Sequence, residues 1–177
     1  MSAASTAHCV LINDIPLWLR DGCTLRPFVE RLVGELMNMN RGRIWLGSVA
    51  AWVVWFVWSF LVGQFIIGNA RYQAAQGAGL FLKQSRYPLF VVQWIVILFV
   101  LSVILAHLYA WTRATLGPGP GTALKIGALV GFAAGFPGNF GQAAWSPIDR
   151  MFPLGWMLDL WVGAILATLV AGWLYRE

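Results

Sequence analysis

Of the 177 residues, 59% are apolar and 11% are charged, against the roughly 25% charged residues of a soluble domain. Twelve Lys and Arg with seven Asp and Glu cannot cover a 19.6 kDa globule, and the mean hydropathy of +0.70 agrees. A water-soluble monomer is excluded. The net charge of +5 is spread in ones and twos between apolar runs, so it reads as flanking charge that orients spans in a membrane. Nucleic acid is not an expected partner, because no basic cluster with interleaved aromatics forms a strand-binding groove.

Residues 1–43 form a segment of ordinary polarity, assigned to the cytoplasm. Cys9, Cys23 and His8 lie here, too few for a structural zinc site of four ligands. Residues 1–38 have two readings. Met37 and Met39 immediately precede Asn40-Arg41-Gly42-Arg43 and the first apolar run, which makes 1–38 a candidate mis-called extension. The other reading is a surface helix over 25–37, with Thr24 as N-cap and Phe28, Val29, Leu32, Val33 and Leu36 on one face.

Four apolar segments follow, at about 44–67, 87–112, 122–140 and 153–175. Each approaches the roughly 20 residues a helix needs to cross about 30 Å of hydrocarbon. The expected fold is an all-α integral membrane protein, with residues 44–177 forming an antiparallel bundle of four transmembrane helices. A β-barrel fails because Val91 to Leu105 is continuous apart from Gln93 and Ser102, whereas barrel strands alternate. A cleaved signal peptide fails because the first run begins late and is too long for an h-region.

The first linker breaks at Gly77-Ala78-Gly79 between two short interfacial turns. The second is the LGPGPG turn at 116–121, and the third holds SPIDRMFP. Glycine and proline stop helices at these points, and the short second and third connections make the helices they join antiparallel neighbours. GPGPG has no following GK[ST] and no preceding strand, so it is a turn and not a phosphate loop. With both termini cytoplasmic, eight Lys and Arg lie inside and four outside; leaving out Arg20, Arg26 and Arg31 makes the count five to four.

The third span carries Gly127, Gly131 and Gly135 four residues apart, a smooth stripe for close helix approach. Gly163, Ala164, Ala167, Ala171 and Gly172 in the fourth span are its expected counterpart, with a homo-oligomer interface as the other reading. Trp52, Trp55 and Trp58 form a stripe in the first span that either packs or lines a cavity. Trp45, Trp94, Trp111, Trp145, Trp156 and Trp173 sit near span ends, as aromatic belts do.

Asp159 lies about 9 Å inside the start of the fourth span, where an acid costs about 2.5–3.5 kcal/mol on insertion scales and by default faces the bundle interior. Gln64, Asn69, Gln93, Asn139 and Gln142 reach a similar level, and Pro137-Gly138 is expected to open the third helix just before Asn139. Two readings follow. One is a ligand pocket of Asp159, Asn139, Gln93 and Gln64. The other is interhelical hydrogen bonding, with Asp159 protonated or paired with Arg71 or Arg150. His107 has no second intramembrane histidine, which excludes bis-histidine haem ligation there. No nucleophile with a base and no paired carboxylates occur, so no catalytic residue, cofactor or metal is expected.

The stretch GALVGFAAGFPGNF, then AAW, a Pro-containing turn and LDLWVGAILATLVAGWLY resembles small bacterial four-helix inner-membrane proteins of unknown function. The resemblance rests on Gly127, Gly131, Asn139, Asp159, Trp161 and Gly163, and the N-terminal extension departs from it. It implies a bacterial source and an inner-membrane location, and lends no activity. The expected role is non-enzymatic, a binding or accessory subunit whose partners are the lipid bilayer and a homo-oligomer or larger membrane complex. The alternative is an oligomeric small-molecule or ion transporter with a polar site around Asp159.

Overall fold

The structure is a computed structural model that describes residues 40–175. Cys9, Cys23, His8 and the helix expected at 25–37 lie outside these residues. Within them 83% are helical and no strand occurs.

Helix α1 (Arg41–Leu61) starts at Asn40, whose side chain accepts a hydrogen bond from the Arg43 N–H at 3.2 Å, satisfying one of the orphan donors of a helix start. The helix continues as a π-helical turn, Val62–Ile67. Its wider winding is visible in the Gly68 N–H, which reaches back five residues to the Gly63 carbonyl at 2.9 Å. The Arg71 guanidinium then donates to the Ile66 and Ile67 carbonyls at 3.2 and 2.9 Å, placing a cation at the negative end of the helix. Gly68, at φ +77°, turns the chain into α2 (Asn69–Gly77).

Helix α3 (Phe90–Leu116) follows a loop, α4 (Pro120–Trp145) follows the tight Pro/Gly turn, and α5 (Met151–Leu174) follows the third linker. Three helical stretches, Arg41–Ile67, Phe90–Leu116 and Met151–Leu174, are long and apolar enough to cross a membrane. They mark a multi-pass membrane protein. α4 matches them in length, but its glycines, Lys125, Asn139 and Gln142 dilute its apolar content. It is continuous through Pro137, where the sequence suggested an opening. The Asn139 side-chain amide donates to the Gly135 carbonyl at 2.7 Å, one turn back along the same helix.

α5 is the hub, packing against α1, α3 and α4, while α1 and α4 do not meet. The glycine stripe of α4 explains the closest of these contacts. A methyl added at Gly127 would stand 2.7 Å from the Ile165 Cα, and one at Gly131 2.9 Å from the Trp161 carbonyl oxygen. Only hydrogen fits, so the stripe is consumed within the chain. Gly163 turns instead to α1, where the Trp55 indole occupies the space of its missing side chain. On the outside, Phe60, Phe65, Val91, Leu129 and Trp145 are among the many exposed apolar side chains, an exterior suited to lipid.

Gly131→Val should therefore cost about 1–3 kcal/mol, the usual penalty of overpacking. Gly141→Ala, where an added methyl meets nothing within 4 Å, should be neutral or stabilising by up to about 1 kcal/mol. Unfolding in mild detergent measures both; equal effects would contradict the α4–α5 packing.

Candidate functional site

The floor of the candidate site is one turn of α1 laid against one turn of α5. Ser59 Oγ donates to Asp159 Oδ1 at 2.6 Å. Trp55 Nε1 donates to the Asp159 backbone carbonyl and Trp58 Nε1 to that of Leu158, both at 3.2 Å. Backbone carbonyls have two lone pairs and can accept these bonds in addition to their helical partners. In a hydrocarbon surround such donors must be satisfied inside the protein, so the tryptophan spacing of α1 becomes a set of interhelical ties. Trp52 makes a similar tie, from Nε1 to the Ile95 carbonyl at 3.1 Å.

Above this floor α3 stands away. Phe90, Val91, Val92 and Gln93 in its first turn are exposed, and the helix leaves a gap there beside α1, α4 and α5. The gap is a cavity of about 960 Å³. Ser59, Val62 and Gly63 line it from α1 and the π turn, Phe90 and Trp94 from α3, Asn139 from α4, and Trp156, Asp159 and Leu160 from α5. The roof is α2 with the loop after it, contributing Tyr72, Gln76, Phe81, Lys83 and Arg86 among others.

Four aromatic rings hold that roof down. Phe152, fully buried in the first turn of α5, meets Tyr72 and Phe81 edge-on with centroids 4.9 Å from each, and Trp156 at 6.0 Å. These are favourable edge-to-face distances. Arg71 adds an ion pair to Asp149 in the third linker at 3.2 Å, between half-exposed groups whose contribution is small.

No protein-family model, curated protein or solved structure matches this chain. The residues must speak for themselves.

Asp159 and Asn139, two of the four side chains expected in a pocket, line the cavity together, and Asp159 is only 7% exposed. Gln64 and Gln93 are exposed and are not in its lining. Arg71, one expected partner of Asp159, serves Asp149 and the end of the π turn instead. Among the described residues Asp159 has no cationic partner, and the donors at its carboxyl are Ser59 and the Trp55 indole. Gly127, Gly131 and Gly135 pack on α5, away from the cavity. His107 bonds the Val103 carbonyl through Nδ1 at 2.8 Å and meets Trp111 edge-on. Among the described residues no three His, Cys, Asp or Glu side chains gather as metal ligands do.

Sequence reasoning passed over Ser59, Tyr72, Phe81 and the loop cations Lys83 and Arg86. A lone serine with no general base beside it carries no signal of its own. Tyr72 and Phe81 gave a readable one, two aromatics flanking the Gly77-Ala78-Gly79 break.

Burial pushes the Tyr72 phenol above its ordinary 10.0, and a hydrogen bond with Trp156 acts the other way. The folded state thus favours the neutral phenol. This contribution to stability is fully present below the unfolded value and is lost as pH rises through the folded one. An absorbance titration of the protein against Tyr72→Phe should isolate a tyrosine ionising above 10.0; a midpoint at or below it would contradict the packing of Tyr72 against Phe152 and Trp156.

Proposed function

We propose that this chain is a non-enzymatic membrane protein that binds a small amphipathic ligand in the cavity beneath α2. The observation that carries the reading is a buried carboxylate, without a cationic partner among the described residues, at the floor of an apolar and aromatic chamber. Binding sites are commonly concave and largely apolar with a few placed polar groups, at volumes of about 300–1,000 Å³. Asp159 and Asn139 are the binding residues in this proposal, joined by Ser59.

The proposed topology has four spans in an antiparallel bundle, α4 being the fourth, with both termini cytoplasmic in a bacterial inner membrane. Two things support it: the 26-residue length of α4 and its close packing along α5, and the Lys and Arg bias between the two ends. In that topology the cavity faces the outer side.

The packing at the opposite end favours binding over an oligomeric transporter or channel. Tyr109 lies against Gly172, Arg113 stacks 4.8 Å above the Tyr175 ring, and the Arg113 guanidinium donates to the Tyr175 carbonyl at 2.9 Å. Leu105, Tyr109, Ala123 and Ala171 are buried there. The chamber therefore has support as a pocket closed at its inner end.

Native mass spectrometry from mild detergent tests the proposal. The protein should carry a bound small molecule that is lost in Gly63→Phe, a substitution that points bulk into the cavity from a position where an added carbon meets nothing within 4 Å. An empty wild type, or equal occupancy in the variant, would refute it.

A further inference from the structure

The charges around the cavity are of both signs, and their placement says what the ligand carries. Asp159 at the floor uses Oδ1 for Ser59. Asp159 lines the cavity, so its carboxyl, met by Ser59 and the Trp55 indole from the α1 side, is the acceptor that the floor presents. Asn139 spends its amide nitrogen on the Gly135 carbonyl, leaving its oxygen as an acceptor at the same wall. The floor thus offers acceptors, and an ammonium group placed there would hold the Asp159 carboxyl in its charged form.

The surrounding rings agree. Tyr72, Phe81, Trp94 and Trp156 all line the chamber, and aromatic faces attract ammonium groups, most strongly where water is displaced. The roof has the opposite character. Lys83 and Arg86 line the cavity from the exposed loop, and the ion pair at this end, Arg71 with Asp149, uses neither. A simple organic cation would meet repulsion at the loop, and a simple anion would meet it at Asp159. A molecule with both charges satisfies both ends.

We infer that the cavity is a site for a zwitterionic amphiphile, whose ammonium group sits on Asp159 among the aromatic rings and whose phosphate is held by Lys83 and Arg86. Arg86 suits phosphate through its planar fork of donors and Lys83 as a point charge. The apolar walls and the volume of about 960 Å³ leave room for hydrocarbon beside the charged groups. This assignment rests on the binding role proposed above and adds the ligand's chemistry to it.

Four probes separate the contributions, with the purified full chain held in a neutral maltoside detergent and binding read from the fluorescence of the cavity tryptophans. They are decylphosphocholine, decyl phosphate, decyltrimethylammonium and glycerophosphocholine. Decylphosphocholine should bind about tenfold more tightly than either singly charged amphiphile, the effect of one added hydrogen bond or contact to a charged group. Asp159→Asn, which retains an acceptor for Ser59, should weaken decylphosphocholine and decyltrimethylammonium about tenfold and leave decyl phosphate unweakened. Lys83→Gln with Arg86→Gln, on an exposed loop, should do the converse, so the test does not depend on one variant folding.

Glycerophosphocholine distinguishes a lipid from a soluble compound with the same head group. Weaker binding than decylphosphocholine assigns a lipid, equal binding assigns the soluble zwitterion, and both support the site. Equal affinity for all three amphiphiles, or loss of all three in both variants, would overturn the inference. If the cavity is occupied in native spectra and emptied by Gly63→Phe while these probes show no charge preference, the ligand chemistry is wrong and the binding role stands. If the cavity is empty in native spectra and no probe binds, both fall.

Discussion

Everything in this molecule hangs on the contact between one turn of α1 and one turn of α5. Trp55, Trp58 and Ser59 together deliver three hydrogen bonds to Leu158 and Asp159. Away from water the donors have nowhere else to go, so the contact fixes both the rotation and the depth of the two helices. Gly163 makes it geometrically possible, because its missing side chain is the seat of the Trp55 ring. Each such bond is worth only about 0.6 kcal/mol on average within membranes. Their effect is register more than raw stability.

From this register the cavity follows. α5 is shared among its neighbours, with α4 drawn close by glycine and α1 held by indoles, so α5 has little freedom left. α3 joins through its C-terminal two thirds, where Leu98, Ser102, Leu105, Ala106, Tyr109 and Ala110 are buried. Its first turns carry Phe90, Val91, Val92 and Gln93, all exposed. The space they leave is covered by α2 and its loop, which the Phe152 cluster pins to α5. The widened π turn ends α1 within that space, with Val62, Gly63 and Ile67 on its wall. π turns are uncommon and often mark functional sites.

Much of the helical scaffold was legible because it is written in periodicity and composition. The three spanning helices are long, mostly apolar runs, and the spacing of Gly127, Gly131 and Gly135 announced a close approach to the fourth apolar segment. Asp159 stood out because an acid deep in an apolar run has to be accommodated somehow. The rest was illegible for a physical reason. A tryptophan stripe shows that indole N–H groups exist, and not which carbonyls they find. Gln64, Gln93 and Asn139 lie similarly far into their apolar runs in the sequence, but rotation about each helix decides which of them turns inward, and of the three Asn139 lines the cavity with Asp159. The π turn adds to the difficulty, since its changed winding shifts the face presented by Gln64. The roof depends on contacts between residues about 70 to 80 apart, Tyr72 and Phe81 with Phe152, which no local pattern encodes.

The account's central claim is that the Ser59–Asp159 bond joins the two turns on which the site is built. A double-mutant cycle of Ser59→Ala and Asp159→Leu, read as unfolding free energy in lipid bicelles, tests it most directly. The account predicts a coupling of about 0.6–1.7 kcal/mol between the two positions. Additive effects, with no coupling beyond error, would contradict it.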